Sequence, residues 1–517
     1  MSVIRNSPFT IHHSPFLPWL VLAFAVAGFY LLVSWLAGAA GFPLDDAWIH
    51  QTYARNLAES GQLAFTPGVP SGGSTAPLWS LLLSAGYGLG LPFRAWTVGL
   101  GILFLGLTGW SISLLAGRLF PRQRGIGLWV GLFAVLEWHL VWAAVSGMET
   151  MLFVWLSVLL VERYAAGWPA VSGRRLLGLG LLGGLLVLTR PEGIGLVGLV
   201  GLDMARRWWQ ASPRPGAAWL AARWGAVAAG LALPLLPYVL FHLSLTGLPF
   251  PNTLYAKQAE YGVVLSSYPL WWRLFGNFGP TPETVQGVFR VIFIGPQLLL
   301  LPGLAWAGWL TVKERRAELW FIWAWWISFL LLYGVRLPVT YQHGRYQMPA
   351  IVWVVLLGVW GSMRLMGLMQ RRRAWRVVGR AWAVSLGVLL LAFVVIGANS
   401  YARDVRFIEG QMVATARWLA ANTPPDALLA AHDIGAIGYF TRRPLLDLAG
   451  LVTPQVIPFI RDEAALFAFV QAQQADYLVT FPDWYPEMVQ QPALSPLFRA
   501  AGPAGNSMTV YRVERER

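Results

Sequence analysis

The chain has 517 residues, of which 56% are hydrophobic and 12% are charged, and its mean hydropathy is +0.55. Soluble proteins carry roughly a quarter charged residues, so this composition excludes an ordinary soluble enzyme and a disordered protein. The absence of cysteine excludes disulfides, thiolate catalysis and cysteine-ligated metal centres.

The formal net charge of +14 is unevenly distributed along the chain. Residues 1–399 carry a net charge of +16, whereas residues 400–517 carry −2. The positive charge therefore belongs to the apolar part of the chain. This distribution favours membrane topology as its cause and argues against a nucleic-acid partner.

Apolar runs of the length that crosses a bilayer dominate the first 399 residues. Such a span needs about 20 residues, and two neighbouring runs are short because Arg190-Pro191 separates them. The eleven predicted spans are residues 17–40, 95–117, 125–145, 150–166, 176–190, 191–204, 222–242, 288–310, 318–335, 346–363 and 378–399.

The run Pro77–Leu91 is an ambiguous twelfth candidate. With eleven spans and a cytoplasmic N-terminus, the inner segments hold 20 basic residues and the outer ones 8, as the positive-inside rule requires. A crossing at Pro77–Leu91 would invert this asymmetry, so the sequence predicts that the run lies in the interface or re-enters. Loops 42–94 and 243–287 and residues 400–517 are then outside.

Residues 400–517 have the pattern of a small soluble α/β domain. Gly410–Ala421 is helical in pattern, and four short runs are typical of strands, namely Ala427–His432, Leu445–Leu448, Tyr477–Thr480 and Met508–Val513. The predicted fold is thus an α-helical polytopic membrane protein, with about eleven transmembrane helices in residues 1–399 and a C-terminal soluble α/β domain.

Two adjacent carboxylates, Asp45 and Asp46, follow the first span and precede an amphipathic helix that carries His50 and Arg55. Either acid could simply cap that helix. Capping does not need two acids, however, and adjacent negative charges near a membrane repel each other. We therefore predict a catalytic role for at least one of them, as a base for a hydroxyl or as a ligand for a cation.

Further polar clusters fall on the same predicted side of the membrane as the acidic pair. Ionisable groups at membrane depth are costly and usually mark a site. The candidate residues in these clusters are Glu137, His139, Glu149, Arg190, Glu192, Asn252, Tyr255, Lys257, His343 and Arg345.

Structural roles remain open for several of these residues. Glu149 could cap a helix, Arg190 and Glu192 could pair with each other, His139 could be a packing histidine, and Arg345 could reach lipid head groups. Nevertheless, their common sidedness predicts an outward-facing site. Its cations, Arg190, Lys257 and Arg345, suit an anionic ligand such as a phosphate.

These features resemble the C-type (GT-C) membrane glycosyltransferases, in which a long first span precedes an acidic pair, an interfacial helix and a large outer loop. Four strings resemble the branch that contains the mycobacterial terminal arabinofuranosyltransferase: Asp45-Asp46-Ala-Trp-Ile, Ser146-Gly-Met-Glu149-Thr150, Leu188-Thr-Arg190-Pro-Glu192-Gly193 and Pro251-Asn252-Thr-Leu-Tyr255-Ala-Lys257.

The resemblance covers about residues 15–350, with a weaker match at Asp433-Ile-Gly435 and Asp447-Leu-Ala-Gly450. It departs at Val69–Thr75, where a Glu-Gly-Tyr-Thr-like stretch is expected. The identity of the sugar and of the acceptor therefore stays open.

The resemblance implies a polyprenyl-phosphate sugar donor and a cell-envelope glycan, glycolipid or protein acceptor, at the outer face of the cytoplasmic membrane. Because a lipid phosphate is a good leaving group, one carboxylate acting as base suffices for inversion, whereas retention needs a second nucleophile. The resemblance assigns the base to Asp45 and leaves Asp46 to orient it or to bind sugar or a cation.

The remaining candidates are assigned to substrate binding. Arg190, Lys257 and Arg345 would hold the phosphate, and the sugar-binding set consists of His50, Arg55, Glu149, Glu192, Asn252, Tyr255 and His343. A divalent cation stays open, since Asp45, Asp46 and Glu149 could form an oxygen-rich site, although no loop has a dedicated ligand spacing. No other cofactor is expected.

Two other classes of function compete with this interpretation. A transporter or glycolipid flippase would show two similar halves with broken helices in matching positions, and no such repeat is visible in the sequence. An assembly protein that binds through its C-terminal region would leave the acidic pair unexplained.

The charge asymmetry generates a topology prediction. A periplasmic-active reporter fused after Arg517 should be active, and a cytoplasmic-active reporter at the same position should be silent, because residues 400–517 are predicted to lie outside. Activity of the cytoplasmic reporter alone would contradict the predicted orientation.

Overall fold

A computed structural model describes residues 15–167, 172–276, 287–502 and 507–514. The predicted inner segments at the N-terminus and at 163–175, the outer loop 243–287 and the chain end at Arg517 fall partly or wholly outside the described residues. The described chain is a large helical body followed by a small sheet.

The helices of the first half follow the hydropathy pattern closely. They are α1 (Leu17–Leu36), α2 (Asp46–Ser60), α3 (Pro77–Gly88), α4 (Phe93–Leu119), α5 (Ile126–Leu136), α6 (Trp138–Val145), α7 (Thr150–Gly167), α8 (Gly173–Thr189), α9 (Gly193–Gln210) and α10 (Ala217–Thr246). A two-stranded hairpin, β1 (Ala64–Thr66) and β2 (Val69–Pro70), lies between α2 and α3.

The second half contains shorter pieces and two long helices. They are α11 (Asn252–Glu260), α12 (Gly262–Ser267), α13 (Leu270–Phe275), α14 (Val288–Val291), α15 (Leu301–Lys313), α16 (Ala317–Arg336), the distorted turn α17 (Tyr341–Gly344), α18 (Ile351–Met369), α19 (Arg373–Ile408), α20 (Ala414–Asn422), α21 (Gly435–Thr441) and α22 (Glu463–Ala472).

By length and hydropathy, six helices in the described part of the chain can cross a bilayer, or seven if the bent pair α5 and α6 counts as one span. These helices, with α7, α8, α9 and α15, overlap the eleven predicted spans. The chain is therefore a polytopic α-helical membrane protein, and several of its predicted spans are short helices.

The predicted continuous span 288–310 is wrong in detail. The helical conformation is interrupted between α14 and α15 at Gly295, whose φ of 138° is accessible only to glycine. Pro296 then starts a 3-10 turn. The indole of Trp138 donates a hydrogen bond to the carbonyl oxygen of Ile294 at 2.8 Å, which fixes the break against α6.

The ambiguous run at residues 77–91 forms the separate helix α3. Its 12 residues extend only about 18 Å, which is too short for a bilayer core of about 30 Å. Trp79 is buried and donates to the carbonyl oxygen of Gly147 at 2.9 Å. The helix therefore lies against the start of α7 and beside α2, as an interfacial segment would.

Close helix contacts depend on glycine where α8 crosses α10. A Cβ at Gly180 would lie 2.1 Å from the carbonyl oxygen of Val227, and one at Gly230 would lie 2.1 Å from that of Leu177. The two backbones therefore approach each other directly, as small residues permit in membrane helices.

The C-terminal sheet has the strand order β4-β3-β5-β7-β6. Its strands are β3 (Leu429–Ala431), β4 (Leu445–Asp447), β5 (Tyr477–Thr480), β6 (Leu494–Arg499) and β7 (Thr509–Val513). β3 pairs in parallel with β4 and β5, whereas β7 is antiparallel to β5 and β6. The four predicted strands are confirmed, and β6, which contains Pro496, was not predicted.

The helix α19 is continuous across the predicted domain boundary at residue 399. It runs for 36 residues to Ile408 and passes through a π-helical turn, Glu409–Val413, into α20. The sheet then packs back onto the helical body, since buried residues of β3 and α21 belong to the same hydrophobic core as α1 and α2.

The α8–α10 crossing makes a testable prediction. Gly180→Ala should lower the stability of the purified protein by about 1–3 kcal/mol, because the added methyl group overpacks a backbone contact. Gly178→Ala on the same helix is the matched control, since a Cβ there meets no atom of the described residues within 4 Å. Equal thermal unfolding midpoints for the two variants would contradict the packing.

Candidate active site

A cavity of about 730 Å³ lies between the helical body and the C-terminal sheet. Its walls come from the start of α2, from α11, from residues 341–345, from α19 and from the carboxyl ends of the parallel strands. Ligands of open α/β sheets bind at that edge of the strands. The cavity thus places the predicted acidic pair opposite the sheet.

Asp45 connects the two parts of the chain. It caps no amide of its own helix; instead, its carboxylate accepts hydrogen bonds from the backbone N–H groups of Gly435 and Ala436, at 2.6 and 2.8 Å, at the start of α21. A Cβ at Gly435 would lie 2.1 Å from the carbonyl oxygen of Asp45. Only glycine therefore permits this contact, which explains the Asp433-Ile-Gly435 string.

The two acids have opposite electrostatic environments. Burial raises the pKa of Asp45 to about 7, assisted by the charge of Asp46 and only partly offset by the two backbone N–H groups. Burial also acts on Asp46, but the charges of Arg345 and Lys257 outweigh it and hold the pKa of Asp46 below its usual value. Asp46 forms an ion pair with Arg345 and keeps a side chain that is 36% exposed to the cavity.

A buried polar network lies directly behind the cavity wall. Glu149 accepts a hydrogen bond from Nε of Arg190 at 2.7 Å, and its second oxygen lies 3.2 Å from Nε2 of His50. Arg190 also donates to the hydroxyl of Thr150 at 3.2 Å. Although burial opposes it, the charges of Arg190 and His50 hold the pKa of Glu149 well below its usual range.

The predicted phosphate-binding set of three cations agrees with the cavity lining at two positions and differs at one. Lys257 and Arg345 line the cavity together with Asp45, but Arg190 does not. Its guanidinium is committed to Glu149 and sits 5.8 Å from the ring centroid of Tyr346, whose hydroxyl accepts from Arg345 at 2.9 Å. Arg190 is thus the cationic partner that the buried carboxylate of Glu149 needs. It supports the cavity wall from behind and does not face the cavity.

The helix α11 brings Lys257 to the cavity. The backbone N–H of Asn252 donates to the carbonyl oxygen of Gly72 at 3.1 Å, and the hydroxyl of Thr253 donates to that of Gly73 at 2.8 Å. The turn-rich strip of the first loop thus anchors the start of α11. Within the described residues, the ammonium of Lys257 forms no ion pair.

Three other predicted residues lie away from the cavity lining. Tyr255 is half-buried on α11. Glu192 accepts a hydrogen bond from the hydroxyl of Tyr333. Arg55 donates to the carbonyl oxygen of Tyr439 at 2.6 Å, so it joins α2 to α21.

His343 sits one layer behind the cavity in a strained turn. Gln342, His343 and Gly344 have φ values of 52°, 60° and 70°, and left-handed backbone is costly for the first two. Nε2 of His343 lies 2.8 Å from Oδ2 of Asp404, and the indole of Trp142 donates to the same oxygen at 2.9 Å.

Sequence reasoning missed the cavity residues outside the recognised strings. They include Glu260, Tyr341, Gln342, Asp404, His432, Trp484 and Tyr485. His432 is the last residue of the predicted strand Ala427–His432, and this position could have indicated it, because the carboxyl ends of parallel strands share one edge. Asp404 lies on a long apolar helix and gives no such signal.

The arrangement does not offer Asp45, Asp46 and Glu149 as a common metal site. Each is committed to a different donor: backbone N–H groups, Arg345, and Arg190 with His50, respectively. Across the described ranges, no group of three His, Asp or Glu side chains is placed to hold a metal ion.

The architecture described above is the GT-C fold of membrane glycosyltransferases, as the sequence predicted. The structure of ArnT from Cupriavidus metallidurans bound to undecaprenyl phosphate matches with a TM-score of 0.52 at 18% identity, over 95% of this chain and 98% of that one. AglB, an oligosaccharyltransferase from Archaeoglobus fulgidus, in complex with an inhibitory peptide and a dolichol-phosphate, matches with a TM-score of 0.58 at 13% identity, over 96% and 74%.

The arabinofuranosyltransferase AftD from Mycobacteria, as a mutant form, matches with a TM-score of 0.51 at 16% identity, over 96% of this chain and 42% of that one. A family model described as a domain of unknown function, DUF8728, matches residues 396–511. No curated protein matches the sequence. At these identities, the structural likeness establishes the fold.

The contact between Asp45 and α21 makes a prediction for hydrogen exchange. Asp45→Asn replaces one acceptor by a donor, so one of the two N–H groups at Gly435 and Ala436 loses its partner. This costs about 1–3 kcal/mol, equivalent to about fivefold to 150-fold faster exchange at the start of α21 if exchange occurs through local opening.

The matched control is Glu59→Gln. Glu59 also joins α2 to α21, through an exposed pair with Arg442 at 2.9 Å, and exposed pairs contribute little. Unchanged exchange in Asp45→Asn, or an equal change in both variants, would contradict the proposed docking contact.

Proposed function

We propose that this protein transfers a sugar from a polyprenyl-phosphate donor to a hydroxyl-bearing acceptor at the outer face of the cytoplasmic membrane. The observation that carries the proposal is the cavity in which Asp45 and Asp46 face Lys257 and Arg345. It combines a candidate base with cations for a phosphate, within a fold that glycosyltransferases share.

The donor class follows from charge and from the structural neighbours. Lys257 and Arg345 are the cations on the cavity wall beside the acidic pair. Two guanidinium nitrogens of Arg345, Nε and Nη1, are buried and have no hydrogen-bond partner among the described residues. Buried unpaired donors favour an anionic ligand. Undecaprenyl phosphate and dolichol-phosphate are the lipids named for ArnT and AglB, and we extend that class to this chain.

The different roles that we assign to Asp45 and Asp46 follow from their surroundings. A base works best when its pKa is near the operating pH, and the pKa of Asp45 is about 7. Each carboxylate oxygen of Asp45 accepts one N–H and has a second lone pair for a proton. Asp46 stays ionised beside Arg345 and would orient the guanidinium group of Arg345, which contacts the phosphate.

The proposed reaction is a single displacement. Asp45 accepts the proton of the acceptor hydroxyl, the hydroxyl oxygen bonds to the anomeric carbon, and the bond to the lipid phosphate breaks with inversion. Lys257 and Arg345 stabilise the negative charge on the leaving phosphate. The sugar, with arabinofuranose as the first candidate, and the acceptor, a glycan, glycolipid or protein, are to be found by screening.

We also propose the domain division on which this arrangement depends. Residues 1–399 would form the membrane-embedded catalytic part with the outer loops 42–94 and 243–287, and residues 400–517 would form an extracytoplasmic α/β domain that closes the cavity. The N-terminus would then lie inside.

The proposal is tested with purified full-length protein and a panel of polyprenyl-phosphate sugars that are radiolabelled in the sugar. Label should appear in a glycan, glycolipid or protein acceptor, with release of polyprenyl phosphate. Delivery of intact donor to the opposite leaflet of a vesicle, with no transfer from any donor in the panel, would instead support a flippase.

The two lysines of the chain provide a paired test of the phosphate contact. Lys257→Gln should lower kcat/KM for the donor about tenfold to a hundredfold, because a charge-assisted contact to phosphate is lost. Lys313→Gln, at the end of α15 and away from the cavity, should leave it unchanged. Equal effects of the two substitutions would contradict the assignment.

The raised pKa of Asp45 predicts a pH dependence. Only the ionised carboxylate can accept a proton, so the rate of transfer should rise with pH and level off above about 7. Asp45→Asn should reduce turnover by roughly 10²–10⁴-fold and abolish that limb of the profile. If the limb persists in Asp45→Asn but disappears in Asp433→Asn, the base is Asp433, whose pKa burial and Asp45 also raise.

A further inference from the structure

A second groove, of about 570 Å³, lies at the far ends of helices that also serve the cavity. α7 starts beside Glu149 and α8 ends beside Arg190, whereas the groove lies where α7 ends and α8 begins. The 18 residues of α7 extend about 27 Å, close to the thickness of a bilayer core. The groove therefore lies at the opposite face of the membrane.

Arginines form the rim of this groove. Arg118 comes from the last turn of α4, Arg163 from the end of α7 and Arg175 from the first turn of α8. The buried Glu162 pairs with Arg118 and with Arg163, the latter at 3.3 Å. Within the described residues Arg175 has no ion pair, so the rim carries an excess of two positive charges.

The floor of the groove is apolar and extends toward the membrane interior. Leu159 lies one turn before Arg163 on α7, and Leu179 and Leu182 lie one and two turns after Arg175 on α8. Gly178 also lines the floor, which is roomy there, since a Cβ at this position would meet no described atom within 4 Å. Charge is thus confined to the membrane surface, with apolar walls below it.

We propose that this groove binds one anionic phospholipid from the surrounding leaflet. The arginine rim matches a phosphate, for which guanidinium groups are well suited, and the apolar floor matches the upper part of an acyl chain. A basic pocket between membrane helices is a known arrangement for anionic head groups. With the proposed orientation, this leaflet is the cytoplasmic one, so the site is separate from the donor cavity.

The test measures lipid retained by the full-length protein in native mass spectrometry. Detergent-purified protein is incubated with equal amounts of phosphatidylglycerol and phosphatidylcholine that carry the same acyl chains. We expect one phosphatidylglycerol to be retained about tenfold more than phosphatidylcholine. Equal retention of the two lipids would overturn the proposal.

Two matched substitutions locate the site. Arg175→Gln should reduce retention of phosphatidylglycerol about tenfold, since one charge-assisted contact is lost, and breaks no ion pair of the described chain. Arg174→Gln removes the same charge from the neighbouring position, which does not line the groove, and should change little. Equal losses for the two variants would show that only the general surface charge matters and would overturn the proposal.

The acyl-chain contact is tested separately from the phosphate contact. Leu182→Asn, two turns after Arg175 on α8, puts a polar group into the apolar floor and should lower phosphatidylglycerol retention. Inorganic phosphate and a polyprenyl phosphate serve as competitors against wild-type protein. Displacement of the bound lipid by either competitor at concentrations comparable with phosphatidylglycerol would identify a phosphate site or a donor-lipid site instead, and would overturn the assignment to a phospholipid.

Discussion

A buried carboxylate needs a donor that is itself held in place, and this constraint shapes the whole cavity. Asp45 is held by the amides of α21 and Glu149 by Arg190 and His50, and the partly exposed Asp46 is held by Arg345. Each donor comes from a distant part of the chain. Breaking a buried pair by removing one partner typically costs several kcal/mol. The long-range folding of the chain and the electrostatics of the cavity are therefore parts of one arrangement.

Adjacent acids of the same residue type acquire different chemistry from that arrangement. The cation of Arg345 keeps Asp46 ionised, while Asp45 receives only neutral amides and becomes a weaker acid. When their environments separate the pKa values of two titratable groups, one site can hold a base beside a permanent charge. The left-handed residues Gln342 and His343 lie three and two positions before Arg345, so backbone strain is stored close to the residue that carries this cation.

The fold could be predicted from the sequence because hydropathy locates membrane helices and alternation locates short strands. The predicted membrane side of each loop also placed Asp46, Lys257 and Arg345 at one end of the molecule, where the cavity lies. Local patterns could not assign partners across hundreds of residues. The sequence therefore placed Arg190 on the cavity wall when it lies behind, and missed Asp404, whose role depends on Trp142 and His343. The break at Gly295 was equally hidden within an apolar run.

The link between Asp45 and α21 has a consequence for the order of biosynthesis. Its amide partners follow Asp45 by 390 and 391 residues. At about 5–20 residues per second, the ribosome needs roughly 20–80 s to make that stretch. Throughout this interval the carboxylate lacks the burial that raises its pKa. The cavity is thus completed only after most of the chain has been made, and a chain interrupted before residue 435 carries the acidic pair without the environment that distinguishes its two members.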